Sequence, residues 1–315
     1  MAVTQHDETS SRQPPPDGLA WHQWLRLGVG GLVSDRRDRR RDSTPARRPS
    51  VRALDPRVNR PIFVIGAPRS GTTFLGSCVG RLPEVTYHLE PRLTKAAIRR
   101  VYEGSWGERR SAALFRLSYS SLILAGLHGG RRFAEKTPEN SFIVPFLAKS
   151  FPGAKFVHII RDGRDAAVSH AKKPWLTTAA AGTGQRNHGG QLRGPYPRWW
   201  VEPDRCEEFT VVSDIVRTAW CWRRFTEAAL DGLATLPPGS AVEVRYEAVV
   251  SHPMATAEAL AEFLGTSQAG LEALRSGLAK ARPESVGRWR AALGPGDVAD
   301  VEREIGPLLA RLGYA

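Results

Sequence analysis

The sequence predicts an α/β fold in which a central parallel sheet is flanked by helices on both faces, three layers in all. Short apolar runs of strand length alternate with helical patterns from Pro61 onward. The first run, "PIFVIG", passes into a glycine-bounded loop and then a helix. Three of the runs end at charged residues, and ligands of parallel sheets lie beyond the carboxyl ends of the strands.

Residues 1–58 are expected to form a basic tail outside the fold. "RQPPPDG" and "SDRRDRRRDSTPARRPS" have little to bury, and "RRDRRR" reads as a solvated linker. Between them, "LAWHQWLRLGVGGLV" can form a helical turn or two against a surface. The folded domain is expected over residues 59–315. "PIFVIG" is a buried strand and Thr73 to Leu82 its following helix. "SAALFRLSYSSLILAGL" has one apolar helical face. In "RRFAEKTPENSFIVPFLAKSF" a short strand ends at Glu135, and a helix follows with Thr137 as N-cap and Pro138 at its first position. Lys155 to Ile160 is a second buried strand, with a helix from about Arg164 to Lys172. Residues 173–210 are long, Gly/Pro-rich and aromatic, which predicts an acceptor-side loop or lid bearing Trp175, Tyr196, Trp199 and Trp200. "TVVSDIVRTAWCWRRFTEAALDGL" is a helix and "AVEVRYEAVV" a strand. "MATAEALAEFLG" is a helix closed by Gly265.

The chain has 315 residues, 41% of them apolar, with nine Trp, which suits a soluble globular protein. No apolar run approaches the roughly 18 residues needed to span a bilayer, and no signal core opens the chain. Cys78, Cys206 and Cys221 show neither a disulfide framework nor metal-ligand spacing. A reducing, cytoplasmic setting follows as the expectation. The formal net charge is +13; residues 1–58 carry 11 Arg against 7 acids, a net of +4, so +9 stays with the domain. A basic domain suits an anionic ligand, whether nucleic acid, acidic membrane or small polyanion.

The first strand end, "GAPRSGTT", has the outline of a phosphate loop. The nucleoside-triphosphate version reads G-x-x-x-x-G-K-[ST]. Here Gly66 and Gly71 keep the glycine spacing, Thr72 stands at the lysine position, and Arg69 lies inside the loop. Backbone N–H groups from Arg69 through Ser70, Gly71 and Thr72 to Thr73 open a helix and form an anion cradle. With no strand ending in a plain metal-ligand Asp, the loop is suited to an anion that needs no metal. The second strand end, "HIIRDGRDAAVSH", puts Arg161 at the terminus and Ser169 about two helical turns on, so the pair can converge on a second phosphate. Asp162, Arg164 and Asp165 read as helix-start charges.

These strings resemble the sulfotransferase family that uses 3′-phosphoadenosine 5′-phosphosulfate. "PRSGTT" is similar to its 5′-phosphosulfate loop and "RDGRDAAVS" to its 3′-phosphate site. "LEPRL", "EKTP", "FPGAKFVHIIRDGR", "VRYEAVVSHP" and the closing "RWRAALGPGDVADVEREIGPLLARLGY" resemble the tyrosylprotein-type and related bacterial members most. The likeness runs in order from about Pro61 to Tyr314 and implies a P-loop-like fold. It also implies a metal-free, in-line transfer of a sulfuryl group to a hydroxyl acceptor, on a small molecule, a glycolipid or a peptide tyrosine.

The resemblance implies roles for particular residues. Arg69 braces the bridging and phosphate oxygens, with hydroxyls from Thr72 and Thr73. Glu90 is the catalytic base, with His88 as the rival imidazole; the bland alternative for Glu90 is a pair with Arg92 or Lys95. Lys136 in "EKTP" stands near the sulfuryl group, the alternative being an ion pair with Glu135 or Glu139. Tyr246 in "RYE" lies near the nucleotide, Arg288 reaches the 3′-phosphate, Trp289 packs on the adenine side and Ser285 assists. His158 reads as a core residue and His170 as facing away from Ser169. Three rival readings remain, of which an inactive relative of the family is opposed by the joint presence of Arg69, Glu90, Lys136, Arg161 and Ser169. A kinase-like enzyme leaves Arg161 and Ser169 without a role. A nucleic-acid-binding protein leaves "PRSGTT" and "LEPRL" unexplained, so no nucleic acid partner is expected.

Overall fold

Ile62 and Val64 enter one apolar core, and Phe63 and Ile65 between them enter another. A strand buried on both faces needs helices on both sides, and a computed structural model of the chain has them. The structure describes residues 26–28, 30–31, 54–186 and 191–314. The tail expected over residues 1–58 therefore lies mostly outside the described residues.

The sheet contains β1 (Ile62–Ile65), β2 (Val85–Leu89), β3 (Arg132–Lys136), β4 (Lys155–Ile160) and β5 (Ala241–Arg245). Its order is β2-β3-β1-β4-β5 and every neighbouring pair is parallel. The chain leaves β1 towards β2 and β3 on one side, then crosses to β4 and β5 on the other. The crevice of such a sheet opens at that reversal, beyond the carboxyl ends of β1, β3 and β4.

Among the described residues the helices of eight or more residues are α1 (Thr72–Val79), α2 (Arg92–Tyr102), α3 (Glu108–Ala125), α4 (Gly163–Ala171), α5 (Asp214–Ala234), α6 (Pro253–Leu264), α7 (Gln268–Leu278) and α8 (Pro295–Arg311). One face of the sheet buries Val64, Val157 and Ile159 under Leu75 of α1, Leu260 of α6 and Leu274 of α7. The other buries Phe63, Phe133 and Phe156 against Phe115 of α3, Trp220 of α5 and Ile305 of α8. No described helix is long and apolar enough to cross a membrane.

Four elements depart from the expected pattern. Strand β2 was not anticipated, because "VTYHL" is short and runs at once into Glu90 and Pro91. Thr137 does not cap a helix: its hydroxyl lies 3.2 Å from Glu135 Oε2, Pro138–Ile143 is a 3₁₀ turn, and the α-helix begins only at Val144. The helix expected over 210–233 breaks before Ser213, whose Oγ accepts the Val216 N–H at 3.4 Å and starts α5. The strand expected over "AVEVRYEAVV" stops at Arg245 as β5, and Tyr246–Ser251 is helical.

His158 on β4 is the core residue expected, 1% exposed, with neither ring nitrogen hydrogen-bonded. Burial pushes its pKa from 6.5 down to about 4. Below pH 6.5 the unfolded chain therefore binds the extra proton, so this residue costs no stability above pH 6.5 and a growing amount as pH falls towards 4. A shift of that size corresponds to on the order of 3 kcal/mol. Urea midpoints followed from pH 7 to pH 4 should fall less steeply in His158→Phe than in the parent; equal slopes would remove His158 as a cause of acid lability.

Candidate active site

The loop between β1 and α1 is held open by its backbone. Gly66 has φ 138° and Gly71 φ 98°. A Cβ at Gly66 would lie 2.3 Å from the Ile159 carbonyl oxygen, and one at Gly71 2.7 Å from the Tyr246 ring. Arg69 adopts φ 70° without being glycine, a conformation costing on the order of 1 kcal/mol or more and kept where surroundings impose it. Helix α1 starts with no side-chain cap, so its first N–H groups are left for a ligand. Ser70 is fully buried and its Oγ has no partner. Thr72 is buried below it, and Thr73 is exposed on the cavity side.

Ser169, two turns into α4, accepts a hydrogen bond from Arg69 Nε at 3.1 Å. Arg161, at the end of β4, reaches the same residue from behind: its Nη1 lies 3.4 Å from the Arg69 carbonyl oxygen. Its Nη2 donates to the Ser285 carbonyl, and its Nε is buried without a partner. The guanidinium lies 4.7 Å from the Tyr246 ring centroid. Burial and the charge of Arg161 both lower the Arg69 pKa. The structure thus brings Arg69, Arg161, Ser169 and Tyr246 around one loop, and two cations repel each other there. An anionic ligand fits this setting: it relieves the repulsion and gives Ser70 Oγ and Arg161 Nε the partners they lack.

The segment after α7 closes over Arg161, and the residue that fastens it is Asp165. Its fully buried carboxylate accepts the Gly287 N–H at 2.7 Å and the Trp289 N–H at 3.0 Å, and stands 3.6 Å from Arg161. The helix-start reading holds for Asp162, which caps α4 by accepting the Arg164 N–H at 2.9 Å. Asp165 and Arg164 also stand in the first turn, Arg164 pairing with Asp162 at 2.9 Å, but both reach further: Arg164 binds Glu302 at 3.1 Å and the Tyr314 carbonyl. Sequence spacing carried no sign of these links, since the partners lie more than 120 residues on. Ser285 Oγ sits 2.9 Å from the Tyr246 hydroxyl. The Trp289 ring is held between Arg164 at 4.1 Å and Arg290 at 4.7 Å. Arg288 is exposed and makes no ion pair among the described residues.

Glu90, just past β2, also has a left-handed backbone, φ 47°. Arg92 does not pair with Glu90, nor Glu135 with Lys136. Instead Glu90 Oε1 meets Lys136 Nζ, Oε2 meets Lys95 Nζ at 2.6 Å, and Lys95 reaches Glu139 at 3.0 Å. Burial raises the Glu90 pKa, but the charges and hydrogen bonds of Lys95 and Lys136 outweigh it and pull it down to about 2. Lys95 was foreseen only as a bland partner, yet it bridges two carboxylates in the cavity floor. His88 is not on the cavity: it is buried, stacked 4.6 Å from Phe133, with Nε2 3.2 Å from Thr86 Oγ1. Strand alternation sends Glu135 to the sheet face opposite Lys136. There it receives the Tyr119 hydroxyl and Asn140 Nδ2 at 2.7 Å, and burial pushes its pKa up to about 7.

A cavity of about 370 Å³ lies between this loop and the 173–210 segment. Arg69, Thr72, Glu90 and Lys136 form one side, and Trp175 and Trp200 stand on the other. Tyr196 and Trp199 are not on it. Tyr196 accepts the Gly182 N–H at 3.1 Å, and Trp199 packs 4.9 Å from Phe142. Arg198 braces the wall by donating to the Trp175 carbonyl at 2.7 Å. His170, expected to face away from Ser169, lines the cavity 5.3 Å from Trp175. Burial, with Arg69 and Arg198, lowers its pKa to about 3, so it is neutral. Among the described residues no three His, Cys, Asp or Glu side chains cluster as metal ligands.

Comparison with known proteins agrees with this geometry. A model described as "Sulfotransferase family" matches residues 61–269, more than half of the chain. Protein-tyrosine sulfotransferase A of Caenorhabditis elegans is 24% identical over 284 residues, covering 80% of this chain and 67% of that protein. Protein-tyrosine sulfotransferase 2 of Gallus gallus is 26% identical over 286 residues, covering 80% and 69%. Among solved structures, sulfotransferase STF9 of Mycobacterium avium shares the fold, with a TM-score of 0.50 and 14% identity over 92% of this chain and 84% of that one. The chain belongs to the sulfotransferase family and is an enzyme dependent on 3′-phosphoadenosine 5′-phosphosulfate.

Proposed function

We propose that the hydroxyl acceptor of this sulfotransferase is a phenol, free or carried on a peptide, bound in the cavity between the loop and the 173–210 segment. The names of the two curated relatives point to a tyrosine side chain, and the walls formed by Trp175 and Trp200 suit an aromatic ring. The observation that carries the proposal is that Glu90 and Lys136 meet on the cavity wall beside Arg69.

The donor supplies an already activated sulfuryl group. Arg69, Ser70, Gly71, Thr72 and Thr73 hold its 5′ end, and Arg161, Ser169 and Arg288 its 3′-phosphate. Tyr246, Ser285 and Trp289 flank the nucleoside. Glu90 takes the proton as the acceptor oxygen bonds to sulfur and the sulfur–oxygen bond to phosphate breaks. Arg69 and Lys136 stabilise the charge that collects on the leaving phosphate oxygen. With a pKa of about 2, Glu90 is a weak base while both lysines hold it. Turning Lys136 towards the donor removes one of them and raises the carboxylate, so base strength appears only when the site is loaded. Lys95 stays and keeps Glu90 ionised.

Adenosine 3′,5′-bisphosphate at 100 times its dissociation constant should stabilise the protein by about 2.7 kcal/mol. Melting curves should show that gain with the bisphosphate and not with ATP–Mg²⁺, and Arg161→Ala should lose it; a gain with ATP–Mg²⁺ alone would sink the donor assignment. With a phenolic acceptor, Glu90→Gln should lower kcat by about 10²–10⁴-fold while bisphosphate affinity holds. Lys95→Met removes a cation from Glu90, so the acid limb of the kcat profile should move up by about one pH unit. An unmoved limb would mean that another group takes the proton.

A further inference from the structure

The carboxyl ends of β1, β2 and β3 bear the active site. The amino ends of the same strands enclose a second cavity, of about 410 Å³, lined by Arg57, Arg60, Arg131, Arg132 and Glu84, with Thr266 from the turn between α6 and α7. Arg57 is paired with Asp55 at 2.7 Å. Arg60 and Arg132 make no ion pair with a carboxylate among the described residues, so positive charge is in excess there.

Arg132 is held rigidly. Its Nε donates to the Arg60 carbonyl and its Nη1 to the Leu264 carbonyl at 2.9 Å. Its Nη2 is buried and has no partner. Arg60 turns its carbonyl inward through a left-handed backbone, φ 44°. Burial and the charge of Arg60 lower the Arg132 pKa to about 10, against the opposing pull of Glu84. Glu84 is held too: Oε1 receives the Thr266 hydroxyl and lies 3.3 Å from the Ser267 N–H. Its Oε2 is buried and also has no partner.

This cavity therefore has excess positive charge, and two of the side chains that line it each carry a buried polar atom without a partner, one a donor and one an acceptor. A fully ionised oxyanion would satisfy Arg132 but set an oxygen against Glu84. An oxyanion that keeps a hydroxyl satisfies both, accepting from Arg132 Nη2 and donating to Glu84 Oε2. We propose that this cavity is a second binding site, separate from the donor site, for hydrogen phosphate or a small phosphate monoester bearing a hydroxyl.

The test is calorimetric titration of the full chain, its donor site first saturated with adenosine 3′,5′-bisphosphate, with inorganic phosphate, sulfate or ribose 5-phosphate at matched ionic strength. One saturable phosphate site is expected, with sulfate at least tenfold weaker, because sulfate carries no proton at neutral pH to offer Glu84. Glu84→Gln should erase that preference, since the amide can donate. Arg60→Asn, chosen because Asn tolerates the left-handed backbone, should weaken phosphate at least tenfold and leave bisphosphate affinity unchanged. Arg132→Lys, which keeps a charge but loses the forked donor, should do the same. Tighter binding of ribose 5-phosphate than of phosphate would identify an ester as the ligand, and the reverse the free ion. Equal affinity for phosphate and sulfate, no saturable phosphate on the bisphosphate-filled protein, or binding untouched by Arg60→Asn would each overturn the proposal.

Discussion

Two cations, Arg69 and Arg161, meet at the end of a buried sheet, close enough that the charge of one lowers the pKa of the other, and the rest of the site is arranged around that repulsion. Arg161 touches the Arg69 carbonyl, and each cation depends on fixed neighbours for its position. Asp165 opposes part of the charge at 3.6 Å but spends its hydrogen-bonding capacity on two backbone N–H groups of the closing segment. What stays unopposed is the room for an anion. The glycines of the loop and its left-handed arginine serve the same end, since they let the backbone approach where a side chain would collide with Ile159 or Tyr246.

The carboxylate chemistry is set by the same excess of cations. Glu90 lies in a row that alternates in sign, Lys136, Glu90, Lys95 and Glu139. In that row Glu90 is held ionised by its two lysines, and moving either of them changes its proton affinity. Glu135, adjacent to Lys136 in the chain, belongs to a different environment. Strand alternation sends it into the aromatic core beneath Tyr119, where hydrogen bonds from Tyr119 and Asn140 hold it and burial raises its pKa. Two consecutive charged residues thus take opposite roles because they face opposite sides of one sheet.

The sheet is short and its two ends are both cationic, yet they differ in kind. At the carboxyl end the charge is shared with helix starts and with residues from four segments, and it faces a cavity walled by tryptophans. At the amino end the cations flank the starts of β1 and β3, Arg132 is pinned to two carbonyl groups, and one carboxylate stands among them.

Local residues determined the parts of this protein that depend on neighbours in the chain. The parallel α/β fold was legible because buried strands and amphipathic helices have distinct periods, and the loop was legible because "GAPRSGTT" must turn within a few residues. Arg69, Thr72, Thr73, Arg161 and Ser169 were readable for the same reason, as each sits at a fixed step from a strand end. Strand β2, the break before Ser213 and the 3₁₀ turn after Thr137 were not, because packing overrode local preference there. Nor could spacing show that Asp165 fastens Gly287, that Lys95 joins Glu90 to Glu139, or that His88 turns into the core while His170 faces the cavity. Those facts rest on which face of an element is buried and on contacts between segments far apart in the chain. They exist only once the sheet has brought those segments together, and ion pairs in a low-dielectric cavity depend on distances that sequence does not contain.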